Sequence, residues 1–181
     1  YRNIAKHLKD ISDQVNGNMA VFFPSYNIQW EVVQALESLG PDKELFVETR
    51  KSGKAQKEDM LRQLRRVHMM GGGMLLGVMA GSLSEGIDYR DNLLNCVVVV
   101  GVPLAPPSLE QKQLEKYYDK NLGLGKGKEY GYTSPAMNSV FQAMGRCIRS
   151  ETDRAVVILM DLRYGQDRYL RYFPDDVVVW K

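Results

Sequence analysis

The run Cys96–Val102, CVVVVGV, limits what this chain can become more than any other stretch. It carries no charge, and its branched valines favour extended backbone. A strand apolar on both faces needs cover on both faces, which is the situation of a parallel sheet between helices. Shorter apolar runs with turn residues around them repeat the signal at Met19–Phe23, Glu44–Glu48, Met74–Ala80 and Ala155–Met160, and Val177–Trp180 reads as a last, edge strand. Helical periodicity fills the gaps. Ile4, Leu8, Ile11 and Val15 share a face over residues 2–16, as do Ile28, Val32, Ala35, Leu36 and Leu39 after Ser25, and Met60, Leu61, Leu64 and Val67 over 56–68. Ser108 and Gln111 form a capping box ahead of Leu114, Tyr117 and Tyr118. Strands alternating with helices predict one α/β domain over residues 1–181, an open and mostly parallel sheet with a leading helix (1–17) and a tail (165–181).

The length of 181 residues and 44% hydrophobic content suit one such domain. Cys96 and Cys147 both sit in apolar patterns, which reads as reduced core thiols rather than a disulfide or metal site, and points to the cytoplasm, or the nucleus of a eukaryote. No apolar run reaches the length of a membrane span, so no membrane partner is expected. The first residue is Tyr1, which reads as a piece of a larger protein. Net charge is only +2, but Arg50–His68 holds seven basic residues against Glu58 and Asp59. Such a segment fits a polyanion partner or, alternatively, a solubilising helix face. His68 has no companion ligand and reads as a helix-end dipole partner, so no metal site is expected.

In open parallel sheets the loops at the carboxyl ends of the strands meet ligands. Three segments there carry chemistry. Pro24, Ser25 and Tyr26 follow the first strand, and Thr49, Arg50, Lys51 and Lys54 follow the second. After the third comes GSLSEGIDY, in which Gly81 and Gly86 permit close backbone approach, Ser82 and Ser84 can bond phosphate or ribose oxygens, and Glu85 and Asp88 are acidic. An ordinary turn with a capping Asp is the alternative. Thr133–Ser150 reads as a helix with Ser134 as N-cap and Pro135 in its first turn. Its core stripe is Met137, Val140, Phe141, Met144, Cys147 and Ile148, and the opposite face presents Gln142, Gly145, Arg146 and Arg149. Two guanidiniums beside a glycine suit phosphate oxygens, or else ordinary surface ion pairs. NLGLGKGKEYG (121–131) reads as a flexible loop and lacks the pattern and setting of a phosphate loop.

Taken in order, FFPSY, GSLSEGID and QxxGRxIR resemble motifs IV, V and VI of a superfamily 2 helicase, in its second RecA-like motor domain. SEGID with GRxIR is most similar to the XPD/DinG group of iron–sulfur DNA helicases. Ser82 departs from the lysine usual in that group's GKxSEGID, which puts that lysine's phosphate contact in doubt here. The resemblance implies that Gln142, Arg146 and Arg149 face ATP and Mg²⁺ shared with a first motor domain of the same parent chain, the arginines acting as arginine fingers. It implies that Gly81, Ser82, Glu85, Gly86 and Asp88 link the nucleotide cleft to DNA, and that Ser25, Tyr26 and Ser84 lie on a single-stranded DNA track. Thr49, Arg50, Lys51 and Lys54 join that track on charge and position alone. An iron–sulfur cluster, 5′ to 3′ movement and repair-complex proteins are implied for the parent. Without a Walker A lysine loop or an acidic box, the chain by itself is expected to be inactive. The rival readings are a catalytically silent binding module and a translocase on RNA or duplex DNA.

Overall fold

The computed structural model describes the chain except Ala80, Glu85, Gly86, Asp88, Arg90, Arg149, Asp176, Trp180 and Lys181. The described residues form five strands: β1 (Met19–Phe23), β2 (Glu44–Val47), β3 (Gly73–Val78), β4 (Cys96–Val100) and β5 (Val156–Met160). All pair in parallel in the order β2-β3-β1-β4-β5. The helices are α1 (Arg2–Gln14), α2 (Tyr26–Ser38), α3 (Lys54–Val67), α4 (Leu109–Leu122), α5 (Lys126–Lys128), α6 (Ser134–Met144) and α7 (Asp167–Leu170). Val177–Val179 form no strand, and Trp180 lies outside the described residues.

The chain divides into two compact units. The first, Tyr1–Gly101 with Gln142–Met160, contains the whole sheet. One sheet face presents Met19, Val21, Phe23, Met74, Leu76, Cys96, Val98 and Val100 to Ala5 and Leu8 of α1 and to Val32, Val33 and Leu36 of α2. The apolar stripe of the leading helix therefore belongs to this core. The other face receives α3, whose Leu64 packs near Gly73 and Phe46. β1, β3 and β4 are buried along their full length, which answers the requirement that CVVVVGV be covered on both sides. Each fully buried side chain such as Phe22 or Leu76 contributes about 2 kcal/mol by leaving water.

The second unit, Val102–Phe141 with Asp161–Lys181, corrects two expectations. Residues 121–131 are not a loop throughout: α5 begins at Lys126, and a π-helical turn (Glu129–Thr133) runs directly into α6. Ser134 consequently has helical dihedrals and does not cap. Pro135 is tolerated because the carbonyl it deprives of a helical donor, Gly131, accepts from Gln111 Nε2 at 2.6 Å. Asp119 further fixes the α5 turn by accepting from the Gly127 amide at 2.7 Å. Ser108 caps α4 as expected, accepting from the Gln111 amide at 3.0 Å. In the tail, Phe173 stacks edge-on against Phe141 and Tyr164 at 5.3 and 6.4 Å, so it packs rather than offering a platform for bases.

Candidate functional site

Three chain segments meet at the carboxyl edge of the sheet in the first unit. After β1, Ser25 leaves the strand extended and its Oγ accepts from the Ile28 amide at 3.3 Å, starting α2. Tyr26 thus begins a helix with its ring at the strand end, where the Arg50 guanidinium stands 5.1 Å from its centroid. Partial burial and then the nearby Glu48 charge push the Tyr26 phenol upward, with Arg50 opposing. The phenol stays neutral around neutral pH.

After β2, the segment Thr49–Gly53 is closed by its own polar groups. The Thr49 amide donates to Ser52 Oγ at 3.0 Å, the Ser52 amide to the Thr49 carbonyl at 3.0 Å, and the Gly53 amide to Gln56 Oε1 at 3.0 Å. With the backbone so occupied, Thr49, Arg50, Lys51 and Lys54 are left exposed. Lys54 lies 3.9 Å from Glu58 with both side chains largely in water, a pair too solvated to neutralise the patch.

After β3 comes the motif V loop, and its organiser is a residue the sequence reading left as the mere end of a strand. Glu48 is 1% exposed. Its Oε1 accepts from the Ser82 amide (2.9 Å), the Ser82 hydroxyl (2.7 Å) and the Leu83 amide (3.2 Å), while Oε2 accepts from the Val78 amide (3.2 Å). Oxygens taken out of water need such a shell of donors to replace the hydrogen bonds they lose. The carboxyl group also needs space: a Cβ at Gly81 would stand 2.6 Å from Oε2, and one at Gly77 3.2 Å. The close approach that Gly81 permits is, within this chain, the approach of Glu48. Ser84 is fully buried, its hydroxyl donating to the carbonyls of Met79 and, at 2.7 Å, Gly81, so here it closes the turn. The Tyr89 hydroxyl donates to the Leu83 carbonyl at 2.9 Å.

The motif VI segment departs from the expected helix. α6 stops at Met144, so Gln142 stands on its last turn, while Gly145 and Arg146 lie beyond it in a turn closed by the Arg146 amide on the Ala143 carbonyl (3.2 Å). The stripe ends with it: Cys147 is buried but Ile148 is 46% exposed. Arg146 Nε donates to the Gln142 carbonyl at 3.1 Å and Nη1 to the Ile87 carbonyl at 3.2 Å. A motif VI guanidinium is thereby bonded directly to the motif V backbone. Farther along, the Arg154 amide donates to Asn92 Oδ1 at 3.1 Å, a second tie between the two segments. Asp91 and Asn92 adopt positive φ of 63° and 53°, a conformation these two side chains tolerate.

Glu85, Gly86, Asp88 and Arg149 lie outside the described residues. Of the other residues singled out in the sequence, Ser25, Tyr26, Thr49, Arg50, Lys51, Lys54, Gly81, Ser82, Ser84, Gln142 and Arg146 all belong to the first unit. Gln29 went unread. It is 3% exposed and its Nε2 donates to the Glu48 carbonyl (3.0 Å) and the Leu76 carbonyl (2.8 Å), fastening α2 to the ends of β2 and β3. A signal for Glu48 did exist, namely an acid closing an apolar strand with glycines four apart in the facing strand-loop GVMAG.

A four-thiolate cluster does not fit these residues, because the chain has only Cys96 and Cys147. Burial pushes the first thiol up to about 12 and the second to about 11, so both stay protonated. Among the described residues no group of three or more His, Cys, Asp or Glu could hold a metal ion, and no helix is long and apolar enough to cross a membrane.

Known proteins resemble the chain along nearly its whole length. The family described as helicase C-terminal domain matches residues 8–178. ATP-dependent DNA helicase DDX11 of Danio rerio is 32% identical over 186 residues, covering 93% of this chain and 21% of the relative. ATP-dependent DNA helicase chl1 of Schizosaccharomyces pombe is 28% identical over 186 residues, covering 96% of this chain and 22% of the relative. The chain thus spans about a fifth of the length of the curated relatives it matches. Two solved structures of XPD helicase, one of them an apo form, superpose with TM-scores of 0.69 and 0.70 at 28% identity, covering 94% and 92% of this chain and 30% and 33% of theirs. Motif order, parallel sheet and matches agree, and the chain belongs to the helicase C-terminal domain family, as a second RecA-like motor domain of the XPD type.

Proposed function

We propose that the chain is the second motor domain of an ATP-dependent DNA helicase, working 5′ to 3′ on single-stranded DNA in DNA repair. The observation that carries the reading is Arg146, held at the end of α6 by the Gln142 carbonyl and in contact with motif V through the Ile87 carbonyl. ATP with Mg²⁺, held by the first motor domain of the parent, supplies the phosphoryl transfer. Gln142 and Arg146 of this chain, with Arg149, face it across the cleft and stabilise charge on the transferring group. The exposed cations Arg50, Lys51 and Lys54 neutralise DNA phosphates, Thr49 donates beside them, and Ser25 and Tyr26 line the track with Tyr26 offering an aromatic face. Gly81, Ser82, Glu85, Gly86 and Asp88 belong to the loop that joins the two sites. Closure on ATP and release after hydrolysis alternate the grip on the strand. An iron–sulfur cluster, where the parent has one, is built from residues outside this chain, and repair-complex proteins are the further partners. The domain spans residues 1–181 and works in the nucleus or cytoplasm.

A second reading, a silent RecA-like binding module, draws on the same observation, since Arg146 already has acceptors inside its own chain. Turnover separates them. In the full-length protein, single-stranded DNA should stimulate ATP hydrolysis, and Arg146→Ala should lower kcat by about 10³-fold, the scale of a lost arginine finger, in a protein that remains folded. Unchanged stimulated turnover in the variant would favour the silent module. Stimulation by RNA or duplex DNA alone would favour the translocase instead.

A further inference from the structure

The motor reading assigns roles to exposed cations and to Arg146, and leaves unexplained the buried carboxyl group of Glu48. Glu48 is bonded by Val78, Ser82 and Leu83 on its side chain and by Gln29 on its carbonyl. It therefore joins three elements: α2 with Tyr26 at its start, the basic segment that begins at the next residue, and the loop that starts at Gly81. That same loop carries Ile87, whose carbonyl accepts from Arg146. Glu48 thus holds the Ser82–Leu83 side of the loop and Arg146 the Ile87 side, and the Tyr89 hydroxyl, donating to the Leu83 carbonyl at 2.9 Å, ties the far end of the loop to the near one.

We infer that Glu48 is the positioning residue through which the nucleic-acid side of this domain sets the placement of the nucleotide-facing loop and of Arg146. This rests on the motor reading. The hydrogen bonds shown are made by backbone amides and one hydroxyl, so the carboxylate is held by oriented dipoles whose strength depends steeply on geometry. A displacement of Arg50, in the turn two residues on, reaches Glu48 through the main chain, and the loop amides must follow or lose a buried acceptor. Ser82 is part of this device. Its hydroxyl makes the 2.7 Å bond to Oε1, so the position at which the XPD group usually has a lysine here completes the shell of Glu48. A glutamine at 48 would keep the volume but turn an NH₂ toward either the Val78 amide or the Ser82 and Leu83 amides, donor against donor.

The test is ATP hydrolysis by the full-length protein with and without a single-stranded oligothymidylate, comparing native, Glu48→Gln and Ser82→Ala. The reading is the ratio of stimulated to DNA-free turnover. A residue that merely holds the fold lowers both rates together and leaves the ratio alone. Glu48→Gln should reduce the ratio about tenfold or more while the KM for ATP and the Kd for the oligonucleotide each stay within about threefold, because positioning rather than contact is lost. Ser82→Ala, which removes one donor of the shell, should reduce it about threefold. If Glu48→Gln fails to fold, Ser82→Ala decides alone: a lowered ratio supports the coupling and a native ratio overturns it. A stimulated native enzyme with an equally stimulated Glu48→Gln overturns this inference and spares the motor reading. A native enzyme that DNA does not stimulate overturns both.

Discussion

The two ends of the sheet use buried polar side chains for different purposes. At the amino end Asn18 is fully buried, its Nδ2 donating to the carbonyls of Leu64 (2.9 Å) and Leu93 (3.1 Å) and its Oδ1 accepting from the Gly73 amide (2.7 Å). Beside it Lys43, 7% exposed, donates to the Gly17 carbonyl at 2.9 Å and to the Gly71 carbonyl. Gly72, at φ +83°, leaves no room for a Cβ against the Gly17 carbonyl. Asn18 and Lys43 thus spend their hydrogen bonds on main chain of the same unit. At the carboxyl end Glu48 bonds main chain and the Ser82 hydroxyl, but the residues around it, Arg50, Lys51 and Lys54, project into water. One end ties loops together. The other ties loops together and leaves cationic side chains exposed to water.

That contrast breaks most visibly at Asn18. Asn18→Ala should strip three bonds from buried backbone groups and cost about 3 kcal/mol, read as a lower urea midpoint of the chain. A loss below about 0.5 kcal/mol would mean that water or relaxation replaces the network, and that the amino end is not the anchor described. Arg50→Ala probes the opposite end and should do the reverse. It should weaken binding of single-stranded DNA by the full-length protein about tenfold and reduce the salt slope of the binding constant by about one, with an unchanged urea midpoint. A stability loss instead would make the Arg50 and Tyr26 pair structural.

How far these ends were legible in the sequence follows from how local their causes are. The strands were readable because burial on both faces leaves a composition signature, as in CVVVVGV, and the Ser108 cap because it is satisfied within three residues. Pro135 misled, since the group that makes it tolerable inside a helical stretch is Gln111, more than a turn of chain away in sequence. The end of α6 at Met144 was hidden too: the periodicity of Cys147 and Ile148 continues past the point where Arg146 turns toward Ile87. At the site, residue types and order placed Ser25, Tyr26, Gly81, Ser82 and Arg146 in one unit, yet Glu48 and Gln29 read as strand and helix filler. Their importance lies in partners 19 to 47 positions away, which only the fold brings together.

The smallest expected effect sharpens the comparison through pH. Burial lowers the Lys43 pKa from its ordinary 10.5, with the charge of Asp13 opposing. The unfolded chain therefore holds the Lys43 proton over a range in which the folded chain has released it. Stability contributed by this group rises as pH climbs through the folded value toward 10.5, and is lost again as pH falls. The control is Lys43→Met, which removes the titration and lowers stability by an offset independent of pH. As pH rises toward 10.5 the urea midpoint of the native chain should gain on that of the variant. Parallel curves would show that the ammonium is as well solvated in the fold as out of it. A stability that responds to alkali would mark Lys43 as a cation held out of water by the anchored amino end of the sheet.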